Sequence, residues 1–369
     1  MSESHLWIRA CVALLLGSLG TGCSLFGGVH VENVATGAQR PANVALYVAV
    51  SDGSEPVTDL EPKNFQVYEN EELLNADQVE RVLLPRESVT EERVLLLLDL
   101  SGNPDADTRA VYARSVEAFV RKLASSVSVS VRAFDGGNSL KSVGEFTRGS
   151  GNPRAGSVQK LSSADSSRNL NGAVKLALGE LDRALKSGNK PVRLATLVVF
   201  ARGADLAGRV SDSELDTALS ETKHDVIGVG IGEDTGYLGF ARDGVIQAQA
   251  ADTLPIAFEE AGARVAKLHG KYYLVAYCSP ARNGKRSVRL EVEYTNEAGD
   301  KKHGSSDYEF EAKGFGPGCK SSSPPRFDPP PRAPGASSGG DAAPALVNQA
   351  PASGKDGVVP PPPGSDYDK

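Results

Sequence analysis

The sequence predicts an α/β fold: a doubly wound, mostly parallel sheet inserted in, or flanked by, a small β-sandwich formed by N- and C-terminal β segments. Three observations carry this. Residues 94–98 form a wholly apolar run that ends on Asp99-Leu100-Ser101-Gly102-Asn103, as expected of a strand buried on both faces and stopped at the carboxyl edge of a sheet. From there to residue 268 helical and strand periodicities alternate, the pattern of parallel strands joined by crossover helices. On either side lie short stretches of β composition, each too small to bury a good core alone.

In chain order, residues 1–22 read as a signal segment. Arg9 precedes an apolar stretch at 10–19, and Gly20-Thr21-Gly22 leads to Cys23. So short an apolar stretch suits a signal core and not a membrane span. Residues 23–40 are expected to be a linker. A first β segment covers 41–91, with strands at 44–50 and 64–69 and the turn-forming Asp52-Gly53-Ser54-Glu55-Pro56 between them.

The central domain spans 92–269. Three sets keep three-and-four spacing: Ala113, Val116, Val120 and Leu123; Leu170, Val174, Ala177, Leu181 and Leu185; Phe258, Ala261, Val265 and Leu268. Each marks an amphipathic helix. Strands are expected between them at 128–134, 194–200, 226–230 and 245–248. A second β segment at 270–319 carries strands near 272–277, 288–294 and 308–311. Residues 320–369 are rich in Pro, Ser, Gly and Ala and include Pro329-Pro330-Pro331 and Pro360-Pro361-Pro362-Pro363. Such composition cannot offset chain entropy by burial and predicts a disordered or polyproline tail.

Composition excludes several functions. A net charge of −7 without runs of Lys and Arg argues against nucleic acid as a partner. His30, His224, His269 and His303 are scattered and lack metal spacing, and Ser101-Gly102 lacks the G-x-S-x-G elbow. No catalytic residue, enzymatic activity or small-molecule substrate is therefore expected. Gly228-Val229-Gly230-Ile231-Gly232 is read as a strand exit, because no apolar helix face follows it as a dinucleotide fingerprint requires.

Asp99-Leu100-Ser101-Gly102-Asn103 resembles the first strand and metal-ion-dependent adhesion motif, D-x-S-x-S, of von Willebrand factor type A domains. Two later segments are similar to that family's T-N-x-x-G-A and T-D-G segments: Arg168-Asn169-Leu170-Asn171-Gly172-Ala173, and Ala201-Arg202-Gly203 after the strand ending at Phe200. The resemblance covers roughly residues 94–268. It implies the doubly wound fold and a loop face that docks a protein partner. In the family the Asp, two Ser, a Thr and a second Asp hold a divalent cation. Here Asn103 stands at the second Ser, Arg168 at the Thr and Arg202 at the second Asp.

Mg²⁺ demands octahedral oxygen ligands and releases its waters reluctantly. Each guanidinium about 5 Å away repels a dication by roughly 7 kcal/mol at an effective dielectric of about 20. The expectation is thus a degenerate, metal-free site lined by Asp99, Ser101, Asn103, Arg168 and Arg202, with no cofactor, in which Arg168 or Arg202 pairs with Asp99. The alternatives are that both arginines are ordinary solvated loop residues, or that Asp205, Ser166 or Ser167 supplies substitute ligands.

Residues 10–23 also resemble a bacterial lipoprotein signal, in which the Cys is diacylated and becomes the first mature residue. That implies Cys23 as a lipidation site and a lipid-anchored protein of the cell envelope at the outer membrane, since Ser24 follows. Two acyl chains suffice for stable anchoring. Of four cysteines, Cys278 and Cys319 then remain. In an oxidising compartment they are expected to pair, closing a loop of about 40 residues and contributing roughly 4 kcal/mol in the chain-entropy model. The functional expectation is a non-catalytic, membrane-anchored binding or adhesion-type lipoprotein. The alternative is a structural envelope spacer whose function lies in the lipid anchor and Pro-rich tail.

Overall fold

The computed structural model describes residues 28–75, 79, 81–123, 125–149, 153–323 and 325–327. The signal segment, Cys23 and the tail beyond Phe327 lie outside the described residues. The elements before the central domain are β1 (Val29–Gln39), β2 (Asn43–Asp52), β3 (Glu55–Pro56), β4 (Phe65–Glu69), β5 (Glu72–Leu73) and β6 (Arg81–Leu84). The domain itself runs β7 (Thr90–Asp99), α1 (Ala106–Leu123), β8 (Ser128–Phe134), β9 (Lys141–Phe146), α2 (Ser157–Lys160), α3 (Leu170–Lys186), β10 (Val192–Phe200), α4 (Asp212–Glu221), β11 (Asp225–Ile231), β12 (Val245–Ala248) and α5 (Leu254–Gly270). Then follow β13 (Tyr272–Cys278), β14 (Lys285–Thr295) and β15 (Lys301–Glu311).

The central sheet has the order β12-β11-β10-β7-β8-β9. All its pairings are parallel except β8 with β9. The apolar run of β7 lies in the middle and serves both faces. Val94, Leu96 and Leu98 pack under α1 and α5, whereas Leu95 and Leu97 pack under α3 and α4. Period-two alternation on a strand with helices on both sides leaves no solvated face. Full burial of each of these leucines stabilises the fold by roughly 2 kcal/mol.

The flanking β segments form the sandwich jointly. One sheet is β1-β2-β13-β6 with β3 on β2, and the other is β15-β14-β4-β5. The first strand after the central domain, β13, sits between β2 and β6, both of which precede that domain. Similarly β14 lies between β15 and β4. Neither terminal segment has a complete sheet of its own, so the α/β domain is an insertion in a sandwich. A shared core of Val44, Leu46, Val48, Phe65, Val67, Tyr277 and Val288 fills the interior. The opposite face of the first sheet, Ala45, Tyr47, Leu274 and Ala276, packs on Val89 and Val192 at the base of the inserted domain.

Several sequence expectations need correction. Residues 29–39, read as part of a linker, form β1, an 11-residue strand paired along β2 with a bulge between Asn33 and Ala35. Its alternation is broken by Asn33, Thr36 and Gly37, and its stability comes from the partner strand. Helix α4, strand β6 and strand β9 were not expected. Helix α4 buries only Leu215 and Leu219, although its capping box, Ser211 with Glu214, is present in the sequence.

The tail does not begin at residue 320. Ser321 is buried, Arg326 N donates to Gln39 Oε1 at 3.1 Å, and the Phe327 ring meets Tyr47 edge-on at 6.5 Å. A disulfide joins Cys278 to Cys319, with Cα atoms 5.8 Å apart, and sets this segment against the first sheet.

Candidate functional site

The parallel strands place their carboxyl ends on one loop face, far from the sandwich. There Asp99 closes β7 and is fully buried. A buried carboxylate needs donors and a counter-charge. Ser101 donates twice to Oδ1, from its backbone N at 2.8 Å and its Oγ at 2.5 Å. This tight local turn continues through Gly102 and Asn103, both at positive φ.

Oδ2 takes its donors from two other loops. Arg168 immediately precedes Asn169, which caps α3 by accepting from Gly172 N at 3.2 Å. The cap directs Arg168 inward, so that Nε donates to Asp99 Oδ2 at 2.8 Å and to Ser101 Oγ at 3.1 Å. Arg202 follows β10 by two residues. Its backbone N donates to the same Oδ2 at 3.0 Å, its Nη2 donates to Ser101 O, and its Nε stands 3.8 Å from Oδ2. Both arginines pair with Asp99.

The remaining sequence candidates point elsewhere. Asn103 is exposed, and its Oδ1 accepts from Ser163 N at 3.3 Å. Asp205 accepts from Asn171 N at 3.1 Å and Gly208 N at 2.8 Å, which ties its loop to the start of α3. Ser167 donates its Oγ to Asp165 Oδ1 at 2.7 Å. Ser166 offers its carbonyl to Gly102 N. None of these oxygens supplements Asp99. With guanidinium groups in the positions where oxygen donors are required, the residues present do not fit a hard dication. Among the described residues no group of three or more His, Cys, Asp or Glu side chains is arranged to hold a metal.

A second ring of charges, which sequence reasoning missed, stiffens the same face. Asp135 at the end of β8 accepts from Lys141 Nζ at 2.6 Å, Gly137 N at 2.9 Å and Ala164 N at 3.0 Å. Burial pushes its pKa up, but these donors prevail and hold it at about 2. Asp165 binds Arg209 Nη2 at 2.9 Å. No fixed spacing in the sequence announces these pairs. Beneath the site, Tyr112 packs edge-on against Phe200 at 5.3 Å, and burial raises its hydroxyl to about 12.

Arg168 Nη1 also donates to Ala204 O at 3.1 Å. Among the described residues Arg202 Nε is a buried donor with no hydrogen-bond partner. Two guanidinium charges surround one carboxylate, so the centre carries net positive charge. Leu206, exposed by 69 %, lies on the loop whose Leu206 N donates to Arg168 O at 2.8 Å.

The other constellation worth chemical scrutiny lies at the opposite end of the sheet. His269 Nε2 is 2.9 Å from Thr196 Oγ1, and its Nδ1 is 3.3 Å from Glu92 Oε2. The hydroxyl–imidazole–carboxylate order resembles that of a hydrolase, but Thr196 is fully buried and His269 is 2 % exposed. A nucleophile needs substrate access; these groups are sealed beneath the junction with the sandwich.

No protein-family model and no curated protein sequence matches this chain. Solved structures are similar at low scores. A von Willebrand factor type A protein from Catenulispora acidiphila matches at 13 % identity and a TM-score of 0.39, covering 79 % of this chain and 75 % of that one. The manganese-loaded TRAP protein of Plasmodium vivax matches at 13 % identity and 0.38, covering 64 % and 97 %. The VWA domain of SpRpn10 matches at 15 % and 0.33, covering 44 % and 93 %. The fold given above rests on its own sheet order and helix placement.

Proposed function

We propose that this chain is a non-catalytic binding protein of the cell envelope, of von Willebrand factor A type, that docks a protein partner through the loop face around Asp99 without a metal ion. The observation that carries the reading is the convergence of Arg168 and Arg202 on Asp99. In a metal-dependent site the cation presents positive charge to a partner's carboxylate. Here the guanidinium groups present it themselves, and their forked donors match a carboxylate in geometry.

Anchoring through diacylated Cys23 belongs to the same proposal and is supported by the resemblance of residues 10–23 to a lipoprotein signal. Incorporation of labelled fatty acid, lost in Cys23→Ala, tests the anchor. Isothermal titration with Mg²⁺ and Mn²⁺ tests the metal-free site: no heat is expected, and micromolar binding abolished by Asp99→Ala contradicts it. Affinity capture of envelope proteins on wild-type chain, compared quantitatively with Arg168→Ala/Arg202→Ala, tests docking. Proteins retained by wild type are expected to be lost by the double variant, and equal retention by both rejects this face as the docking surface.

A further inference from the structure

The chain is acidic overall, with a net charge of −7, yet residues 106–160 hold nine Lys and Arg against four Asp and Glu. Arg132, Lys141 and Arg148 of this stretch are neutralised by Glu145, Glu180, Asp135 and Glu87. Arg114, Arg121, Lys122, Arg154 and Lys160 are exposed, and none of the five has an ion-pair partner among the described residues. Arg114 and Arg121 are seven residues apart on α1 and share one face. Arg121 and Arg154 line one hollow of about 460 Å³ with Glu117, Pro153 and Gly156. Glu117, which also accepts from Ala155 N at 2.9 Å, offsets one of these two charges, so the hollow keeps a net charge of about +1 with Arg114, Lys122 and Lys160 exposed beyond it.

The patch sits on the flank where the chain enters the fold. Helix α1 packs beside α5, and Lys122 lies against Gly262. Lys267 and Arg264 of α5 bind Glu55 of β3 at 2.8 and 3.3 Å. Glu55 pairs with Asp52, and Asp52 pairs with Val29, the first residue of β1. Five residues lie between Cys23 and Val29, which limits their separation to at most about 21 Å. An anchor at Cys23 therefore holds the Val29 edge, which these contacts link to α5 and α1, close to a bilayer.

We infer that the α1–α2 flank, centred on Arg121 and Arg154, seats on the phosphate headgroups of an anionic lipid surface and so orients the anchored protein. Guanidinium groups bind phosphate as a fork, and each cation near an anionic surface is worth roughly a fivefold gain in affinity. The inference rests on the lipid-anchor part of the proposed function, and its test is independent of acylation.

The full chain carrying Cys23→Ser, which cannot be acylated, is sedimented with vesicles of phosphatidylcholine alone and of phosphatidylcholine with phosphatidylglycerol. The neutral vesicles set the baseline for any apolar attachment. Binding above that baseline is expected only with phosphatidylglycerol, falling steeply as salt is raised. Arg121→Glu/Arg154→Glu is expected to lose it by tenfold or more, while Lys285→Glu/Arg286→Glu on β14 retains it. No excess binding to the anionic vesicles overturns the inference, as does equal binding by the Arg121/Arg154 variant. Competition by millimolar inorganic phosphate at constant ionic strength assigns the hollow to a small anion and likewise overturns seating on a bilayer. Failure of Cys23 to take up fatty acid removes the anchor alone and leaves the vesicle result standing.

Discussion

At the residue scale the organising group is one buried carboxylate. Asp99 has four hydrogen-bond donors on its two oxygens, and each of the three loops that supply them is held in place by it. Asp99→Ala leaves two partly buried guanidinium groups without a counter-charge, a loss of about 3–5 kcal/mol of stability by urea unfolding. Conversely, Arg168→Thr with Arg202→Asp restores oxygen donors beside Asp99 and Ser101. That double variant is expected to acquire Mg²⁺ or Mn²⁺ binding by isothermal titration, which wild type is expected to lack. Asp135 gives a pH-dependent prediction. Its folded pKa of about 2 lies below its ordinary value of 3.8, so its contribution is present above about pH 4 and is lost as pH falls toward 2. Asp135→Asn is expected to flatten the decline of Tm over that window relative to wild type.

At the element scale, the sequence is legible where burial imposes a strong period and silent where a neighbouring strand supplies the stability. Strand β7 and helices α1, α3 and α5 were legible because each buries a continuous stripe. Strand β1 was not, since Val29 and Val31 are followed by a polar, bulged half whose register is set by β2. Residues 320–327 illustrate the same limit. Gly37 of β1 lies so close to this segment that a Cβ there would fall 2.1 Å from Arg326 O. Gly37→Ala is expected to displace residues 320–327 and to speed proteolysis near Phe327, with the rest of the fold intact. Ser211→Ala removes the α4 cap and is expected to cost about 1 kcal/mol, measurable by denaturant unfolding.

At the scale of the whole molecule, the insertion couples two cores. The bond from Thr90 Oγ1 to Tyr47 OH at 3.0 Å ties the base of the inserted domain to the first sheet of the sandwich, where Tyr47 stacks on Tyr272 at 5.7 Å. A fragment of residues 28–90 is expected to remain unfolded by circular dichroism, because β2 and β6 have no contact without β13 between them. No helix among the described residues is long and apolar enough to cross a membrane.

What the sequence by itself determined is whatever nearest neighbours along the chain enforce: the apolar strand that ends on Asp99, the amphipathic helices, and the positions of Arg168 and Arg202 just before α3 and just after the strand ending at Phe200. Only the tertiary structure decided which oxygens and cations meet. It turned Asn103 and Asp205 away from Asp99, gathered unpaired arginines from α1 and the loop after β9 onto one flank, and threaded β13 between two strands more than 180 residues earlier in the chain. Local periodicity encodes burial within an element, whereas register, loop direction and the partner of each charge are set by packing between elements distant in sequence.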